Sequence, residues 1–362
     1  MSNRFEKHPK KTLLVIFAAF TILLLVLIEN LSGNESAEQV RHIRLKENSP
    51  SQNRLITPDA DIIALSDGLT VKEYSFDIDD NGFLKPSLVH QNADKTIAFI
   101  GGSTTESMFV DEDKRFPALV GTLLENKLNI KINTLNSGVS GNNTLHSLNS
   151  FLNKIVPLKP DIAVLMHNIN DLSVLLHEGS YWNQNEYRST LINEDHSIKS
   201  QIKNLLPNSY QLAYIIKTKL LGKDSEFDTK QQSKPALDSD KILAMFSANL
   251  KTFVQMAQNQ NITPVLMTQA NRFTEKPDQV VLENLHALEN IGMSYADYRQ
   301  LYLEMNKEIR TVAAENDILL IDLANEVPQT YEYIADPVHF NNAGSELVAE
   351  IIAKRLEPLI EK

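Results

Sequence analysis

From residue 96 the chain alternates short apolar runs, rich in β-branched residues, with longer amphipathic stretches. The runs are Thr96–Ile100, Ile130–Leu135, Asp161–Met166, Ile262–Thr268 and Ile318–Leu323. All are short, and all but Ile130–Leu135 are apolar at most positions, as strands buried on both faces are. Between and after them, Phe116–Leu128, Leu145–Ile155, Ser239–Gln258, Tyr295–Glu315 and Ala343–Leu356 carry apolar residues at helical spacing. This alternation predicts an α/β fold, a parallel sheet with helices on both faces. The stretch from 172 to 240 breaks the rhythm and reads as an insertion or lid over the carboxyl edge of the sheet, where open α/β folds bind ligands. Upstream, residues 61–93 hold short turn-rich pieces expected at the domain edge. Residues 30–60 are polar with little periodicity and read as a linker.

The N-terminus has a different pattern. Thr12–Ile28 is a run of 17 apolar or neutral positions without a charge. As a helix it would be about 26 Å long, close to the hydrocarbon thickness of a bilayer once flanking residues are added. Arg4, Lys7, Lys10 and Lys11 precede it against Glu6 alone, and Glu29, Glu35 and Glu38 follow. Basic flanks stay on the cytoplasmic side. The expected organisation is a cytoplasmic tail over 1–11, a single transmembrane signal anchor over 12–31, a linker and edge segment over 32–93, and one exported domain over 94–362. Leu31-Ser32-Gly33 offers a weak cleavage site.

Composition narrows the function. The 362 residues include 35 Lys+Arg against 46 Asp+Glu, a net charge of −11. Nucleic acid is therefore not an expected partner, since binding it needs a basic face to neutralise phosphate. The absence of cysteine excludes disulfides, thiolate metal sites, iron–sulfur clusters and a cysteine nucleophile. The histidines are scattered without ligand spacing, so neither a metal nor another cofactor is expected.

Candidate chemistry gathers where the apolar runs end. The first run leads into Gly101-Gly102-Ser103-Thr104-Thr105-Glu106-Ser107. Two glycines allow a sharp strand-to-helix turn, and a serine there lifts its hydroxyl above the sheet at a helix N-terminus. Alone, such a turn is more often a plain loop or a phosphate-binding turn. The second run leads into Asn136-Ser137-Gly138-Val139-Ser140-Gly141-Asn142, whose glycines expose backbone N–H groups as an oxyanion hole requires. The third ends in His167-Asn168-Ile169-Asn170-Asp171, which offers a side-chain amide donor. After the last run comes Asp336-Pro337-Val338-His339, where an aspartate three before a histidine can fix the imidazole tautomer and free Nε2 to take a serine proton.

These four blocks, in this order, resemble those of the SGNH (GDSL-type) hydrolase superfamily over residues 94–362. The resemblance implies a three-layer α/β/α sandwich with a five-stranded parallel sheet, similar to flavodoxin, and serine-esterase chemistry. It implies Ser103 as nucleophile, His339 as base and Asp336 as its orienter. It implies an oxyanion hole from the Ser103 N–H, the Gly141 N–H and the Asn170 side chain, with Gly138 as second choice for Gly141. Two departures stand out. Gly102 replaces the Asp of Gly-Asp-Ser, and Asn168 replaces the Gly two before Asn170.

Other residues read two ways. His167 lines the site or packs beneath it. His177, Tyr181 and Trp182 form a sugar-stacking wall or the small core of a lid. With the domain outside the cytoplasmic membrane, in the periplasm or beyond, the reading favoured is removal of O-acyl (acetyl) groups from a surface carbohydrate. Alternatives are an O-acyltransferase using the same triad, a lysophospholipase or thioesterase, and a non-catalytic assembly protein. The expected partners are the acylated carbohydrate, the bilayer through residues 12–31 and polysaccharide-synthesis machinery.

Overall fold

The five apolar runs lie side by side as parallel strands in the computed structural model, which describes residues 8–31, 41–43, 45–183, 190–193, 209–210, 212–213 and 238–361. In chain order the first elements are α1 (Pro9–Leu31), β1 (Arg41–Ile43), β2 (Leu55–Ile56), α2 (Ala60–Ala64) and β3 (Tyr74–Ser75). Then follow β4 (Lys95–Gly101), α3 (Ser103–Glu106), α4 (Phe116–Leu128), β5 (Ile132–Gly138), α5 (Thr144–Ser150), β6 (Ile162–Met166) and α6 (Ile169–Glu178). The rest are β7 (Leu191–Asn193), α7 (Ser239–Asn259), β8 (Thr263–Met267), α8 (Gln279–Asn284), α9 (Tyr295–Glu315), β9 (Leu319–Ile321), α10 (Leu323–Glu326) and α11 (Asn342–Ile360).

The sheet runs β5-β4-β6-β8-β9, every neighbouring pair parallel. From β4 the chain steps outward to β5, then crosses back past β4 to β6. The strand order reverses there, so the crevice beyond the carboxyl ends of β4 and β6 is the switch point where such sheets bind ligands.

Alternate residues of each strand feed two cores. Ile97, Phe99, Val164 and Val265 meet Phe116 and Val120 of α4 and Val348 and Ile352 of α11 on one face. Ala98, Ile100, Leu135 and Leu165 meet Phe246 and Leu250 of α7 and Leu301 and Met305 of α9 on the other. Three layers result, as expected. The long helices begin where short polar side chains cap them: Asp238 accepts from the Lys241 N–H, Ser294 from Asp297 and Asn341 from Gly344.

Three expectations change. The irregular stretch does not begin at 172, because α6 continues to Glu178 and buries Leu172, Val174 and Leu175 in the core. Much of the expected insertion, including residues 194–208 and 214–237, lies outside the described residues. Nor are residues 30–60 a linker throughout, because Gln52 reaches the edge segment expected over 61–93. Phe76, Ile78, Phe83 and Leu84 are buried, and single bridges tie Gln52 to Ile78, Ile78 to Leu84 and Leu84 to Asn136 on β5. Arg115, itself buried, donates to the carbonyls of Lys85 (2.8 Å) and Ser75 and so pins this segment to the start of α4. Finally, the helix expected over Leu145–Ile155 divides into α5 and a π-helical turn over Phe151–Ile155.

The N-terminal apolar run lies in α1, whose Leu13, Val15, Phe17 and Phe20 are exposed. Among the described residues no helix is long and apolar enough to cross a membrane. The side chains of residues 26–31 lie outside the description.

One glycine tests how tightly the last helix is seated. A Cβ on Gly344, in the first turn of α11, would collide with the Tyr333 carbonyl oxygen and stand 2.7 Å from its carbon. Gly344→Ala is expected to lower the unfolding free energy by about 1–3 kcal/mol in urea titration. An unchanged midpoint would show that helix and loop separate easily.

Candidate active site

β4 leaves the sheet at Gly101, Gly102 is the N-cap of α3, and Ser103 is its first residue. The turn has no room for side chains. A Cβ on Gly101 would run into Thr105 Oγ1 and lie 2.7 Å from the Met166 carbonyl oxygen, and one on Gly102 would run into Asn170 Nδ2. The Asn170 amide fills the space that the missing aspartate side chain would need, which accounts for glycine at 102.

Ser103 Oγ stands 2.7 Å from His339 Nε2, and His339 Nδ1 stands 2.6 Å from Asp336 Oδ2. The second carboxylate oxygen of Asp336 accepts the Val338 and His339 N–H groups, both at 2.9 Å. A hydrogen-bonded chain thus runs from carboxylate through imidazole to hydroxyl. Burial pushes the Asp336 carboxyl upward, but the His339 charge and hydrogen bond and the two N–H donors outweigh it, leaving Asp336 below the usual carboxylate range. Burial acts downward on His339, yet the Asp336 charge and hydrogen bond, helped by Glu106, raise it above its ordinary value. The loop carrying both is held from outside by Arg272, buried, which donates to the carbonyls of Ile334 (3.1 Å) and Ala335 (3.0 Å) and pairs with Asp67 and Asp278.

Across the crevice, Asn170 sits in the first turn of α6 and donates through Nδ2 to the Asn142 carbonyl at 2.8 Å. That bond uses one amide hydrogen and ties the Asn block to the Gly block. Gly141 adopts φ +74° in the turn that the Asn142 N–H closes onto the Val139 carbonyl, a conformation suited to glycine. Gly138 is engaged otherwise: its N–H donates to Asn136 Oδ1 at 3.0 Å, and a Cβ there would collide with the Glu106 backbone. Its bareness lets α3 rest on β5. Asn168, the other departure, has φ −168°, open to any residue, and its amide donates to the Tyr302 carbonyl at 3.0 Å.

Sequence reasoning missed the brace. Gln269, just beyond β8, accepts the Ile169 N–H at 3.0 Å and donates to Thr104 Oγ1 at 2.7 Å. One side chain therefore fixes the first turns of α3 and α6, which carry Ser103 and Asn170. Asn306 of α9 secures Gln269 in turn, accepting its N–H at 3.1 Å and donating to its carbonyl at 3.0 Å. Polar residues directly after an apolar strand were the only local signal.

The sequence profile of the GDSL-like Lipase/Acylhydrolase family matches residues 99–347. The chain belongs to that family. It is accordingly a hydrolase acting on esters, and every group described above except Asp67 falls inside the matched span. No curated protein matches the chain. Solved structures similar to it include Axe2, an acetylxylan esterase from Geobacillus stearothermophilus, with 17% identity, a TM-score of 0.44, and 73% of this chain and 95% of that one covered. A lipase/acylhydrolase from Enterococcus faecalis gives 17% identity and a TM-score of 0.43, covering 73% and 96%. The acetyl xylan esterase AlAXEase gives 19% and 0.42, covering 72% and 98%.

The remaining candidates separate. His167 is buried, its Nε2 2.7 Å from Ser147 Oγ and its Nδ1 3.6 Å from Asp171, and burial lowers its pKa to about 3, so it is a neutral interior group. Tyr181 is also buried and donates to Asp171 Oδ1 at 2.6 Å, behind the Asn170 turn. Neither forms an exposed wall. Thr144 donates to the same Asp171 oxygen through its N–H (3.0 Å) and hydroxyl (2.5 Å), and burial raises the Asp171 pKa to about 6. Trp182 is 62% exposed. The His177 side chain lies outside the description. Among the described residues no group of three or more His, Asp or Glu side chains is arranged to hold a metal ion.

Two measurements follow from this geometry. Imidazole can take the Ser103 proton only when neutral, so kcat/KM is expected to rise with pH through an ionisation above the ordinary 6.5 of histidine. Asp336→Asn should move that acid limb to lower pH and reduce kcat/KM by roughly 10³–10⁴-fold; a limb that stayed put would disconnect Asp336 from the base. Asn170→Ala should lower kcat by about 10²–10³-fold with KM hardly changed, because its donor strengthens only as an oxyanion forms. A raised KM with normal kcat would instead make Asn170 a substrate-binding group.

Proposed function

We propose that this chain is a membrane-anchored serine esterase that removes O-acyl groups, chiefly acetyl, from a cell-surface or periplasmic carbohydrate. The observation that carries the chemistry is the 2.7 Å approach of Ser103 Oγ to an imidazole already oriented by Asp336. Ser103 Oγ attacks the ester carbonyl carbon as its proton passes to His339 Nε2. The tetrahedral oxyanion lies against the N–H groups of Ser103 and Gly141 and the amide of Asn170. His339 then protonates the departing sugar oxygen, leaving an acyl-serine, and water repeats the sequence with His339 as base to release the acid.

Location supports the substrate class. The 17-residue apolar run with a basic flank before it reads as an anchor with its N-terminus in the cytoplasm, and the esters abundant beyond that membrane include acyl groups on surface glycans. The exposed indole of Trp182, four residues beyond α6, has a flat apolar face of the kind that packs on sugar C–H surfaces.

The test is chemical. A fluorophosphonate probe should label the peptide holding Gly101 to Ser107, and Ser103→Ala should abolish both labelling and acetate release from an acetylated oligosaccharide. Adding unacetylated oligosaccharide to a reaction with an activated acetyl ester should leave the sugar unmodified. Acetyl transfer to it would make the enzyme an acyltransferase, and labelling of another serine would remove the mechanism altogether.

A further inference from the structure

Glu106 is the second carboxylate of the site, and neither the sequence blocks nor the triad give it work. It ends α3, one turn beyond Ser103, and is 1% exposed. Burying a carboxylate is costly unless donors replace its water. Here they do. The Ser140 hydroxyl donates to Oε2, the Ser140 N–H also reaches the carboxylate, and Asn48 Nδ2 donates to Oε1 at 3.2 Å. Burial pushes the Glu106 carboxyl above its ordinary value, while the Ser140 and Asn48 donors and the Lys46 charge act the other way and favour the ionised form.

The partners give the arrangement its meaning. Ser140 immediately precedes Gly141, so Glu106 grips the residue whose carbonyl forms the peptide with the Gly141 N–H. Asn48, which also lies 3.4 Å from the Gly138 carbonyl, comes from the segment before the sheet. A helix residue, a turn and an upstream strand of chain thus close on one carboxylate, and its helix is the one that carries Ser103. The charged groups bearing on Glu106 are Lys46 and Arg115; those bearing on His339 are Asp336 and Glu106 itself.

We infer that Glu106 is a positioning residue: it sets the Ser140–Gly141 peptide against Ser103 for the oxyanion, and its negative charge supports the imidazolium that His339 becomes. Lys46 and Asn48 are by this account part of the enzyme's working site. The inference rests on the serine-esterase reading above.

The test uses the full-length chain, with rates expressed per Ser103 labelled by fluorophosphonate, so that misfolded protein is not counted. Glu106→Gln preserves size but removes the charge and replaces one of the two acceptor oxygens with an N–H donor. It should lower kcat about 10-fold, less than loss of an oxyanion donor outright, leave KM unchanged, and move the acid limb of kcat/KM to lower pH. Glu106→Ala, which also frees Ser140, should fall further, by about 10²-fold, with the same displaced limb. An acid limb in Glu106→Gln that coincides with the parent's, or a loss of rate wholly accounted for by fewer labelled sites, would overturn the inference. Failure of the parent enzyme to label at Ser103 would overturn the underlying esterase reading instead.

Discussion

The 2.7 Å contact between Ser103 and His339 joins positions 236 residues apart, and much of the structure serves to keep it short. A few tenths of an ångström decide whether a proton can pass along such a bond, and a loop alone cannot hold that tolerance. Both ends are therefore tied to rigid elements. Ser103 rises from the central strand β4 through a turn too tight for side chains, with Gln269 gripping the next residue. His339 sits on a loop whose carbonyls are collected by the buried Arg272, anchored in turn to the nearby Asp278 and to Asp67 from the segment before the sheet. The burden falls on long-range polar contacts, and the apolar cores supply the platform.

This division explains what the sequence disclosed. Strands β4, β5, β6, β8 and β9 of the central sheet and helices α4 and α9 were legible because each packs an apolar face whose period, two or 3.6, is written locally. The bounds of α4 and α9 coincide with the pattern residue for residue. The residues that meet at the crevice were legible because strand ends in a parallel sheet converge on one edge. Gln269 and Arg272 were not, since Gln269 acts on Ile169 and Thr104, 100 and 165 positions away, and Arg272 on the Ile334 carbonyl and Asp67, 62 and 205 positions away, so no local pattern records the pairing. The segment around Phe76 to Leu84 was legible only as turn-rich pieces at the domain edge, because it is buried by isolated bridges and scattered side chains, without a repeating period.

The departures at 102 and 168 are physically independent adjustments. Glycine at 102 yields its volume to the Asn170 amide, drawing the donor close over the nucleophile turn. Asparagine at 168 takes an extended backbone and spends its side chain on α9, so the start of α6 is fastened on one side by Tyr302 and on the other by Gln269. A loop that flexible glycine would leave adjustable is here clamped from both flanks.

The bridge between Leu84 and Asn136 has a consequence for how this domain can be handled. β5 is an outer strand of the sheet, and an outer strand offers unpaired N–H and C=O groups to any other chain that can lie alongside it. The upstream segment occupies part of that margin from within the same molecule and shields Leu84, itself fully buried, from water. A fragment beginning at residue 94 would keep every strand of the sheet yet present a bare, hydrogen-bonding border next to apolar surface. Such a fragment would be prone to self-association through β5, so the natural unit for expression or fusion starts upstream of residue 45.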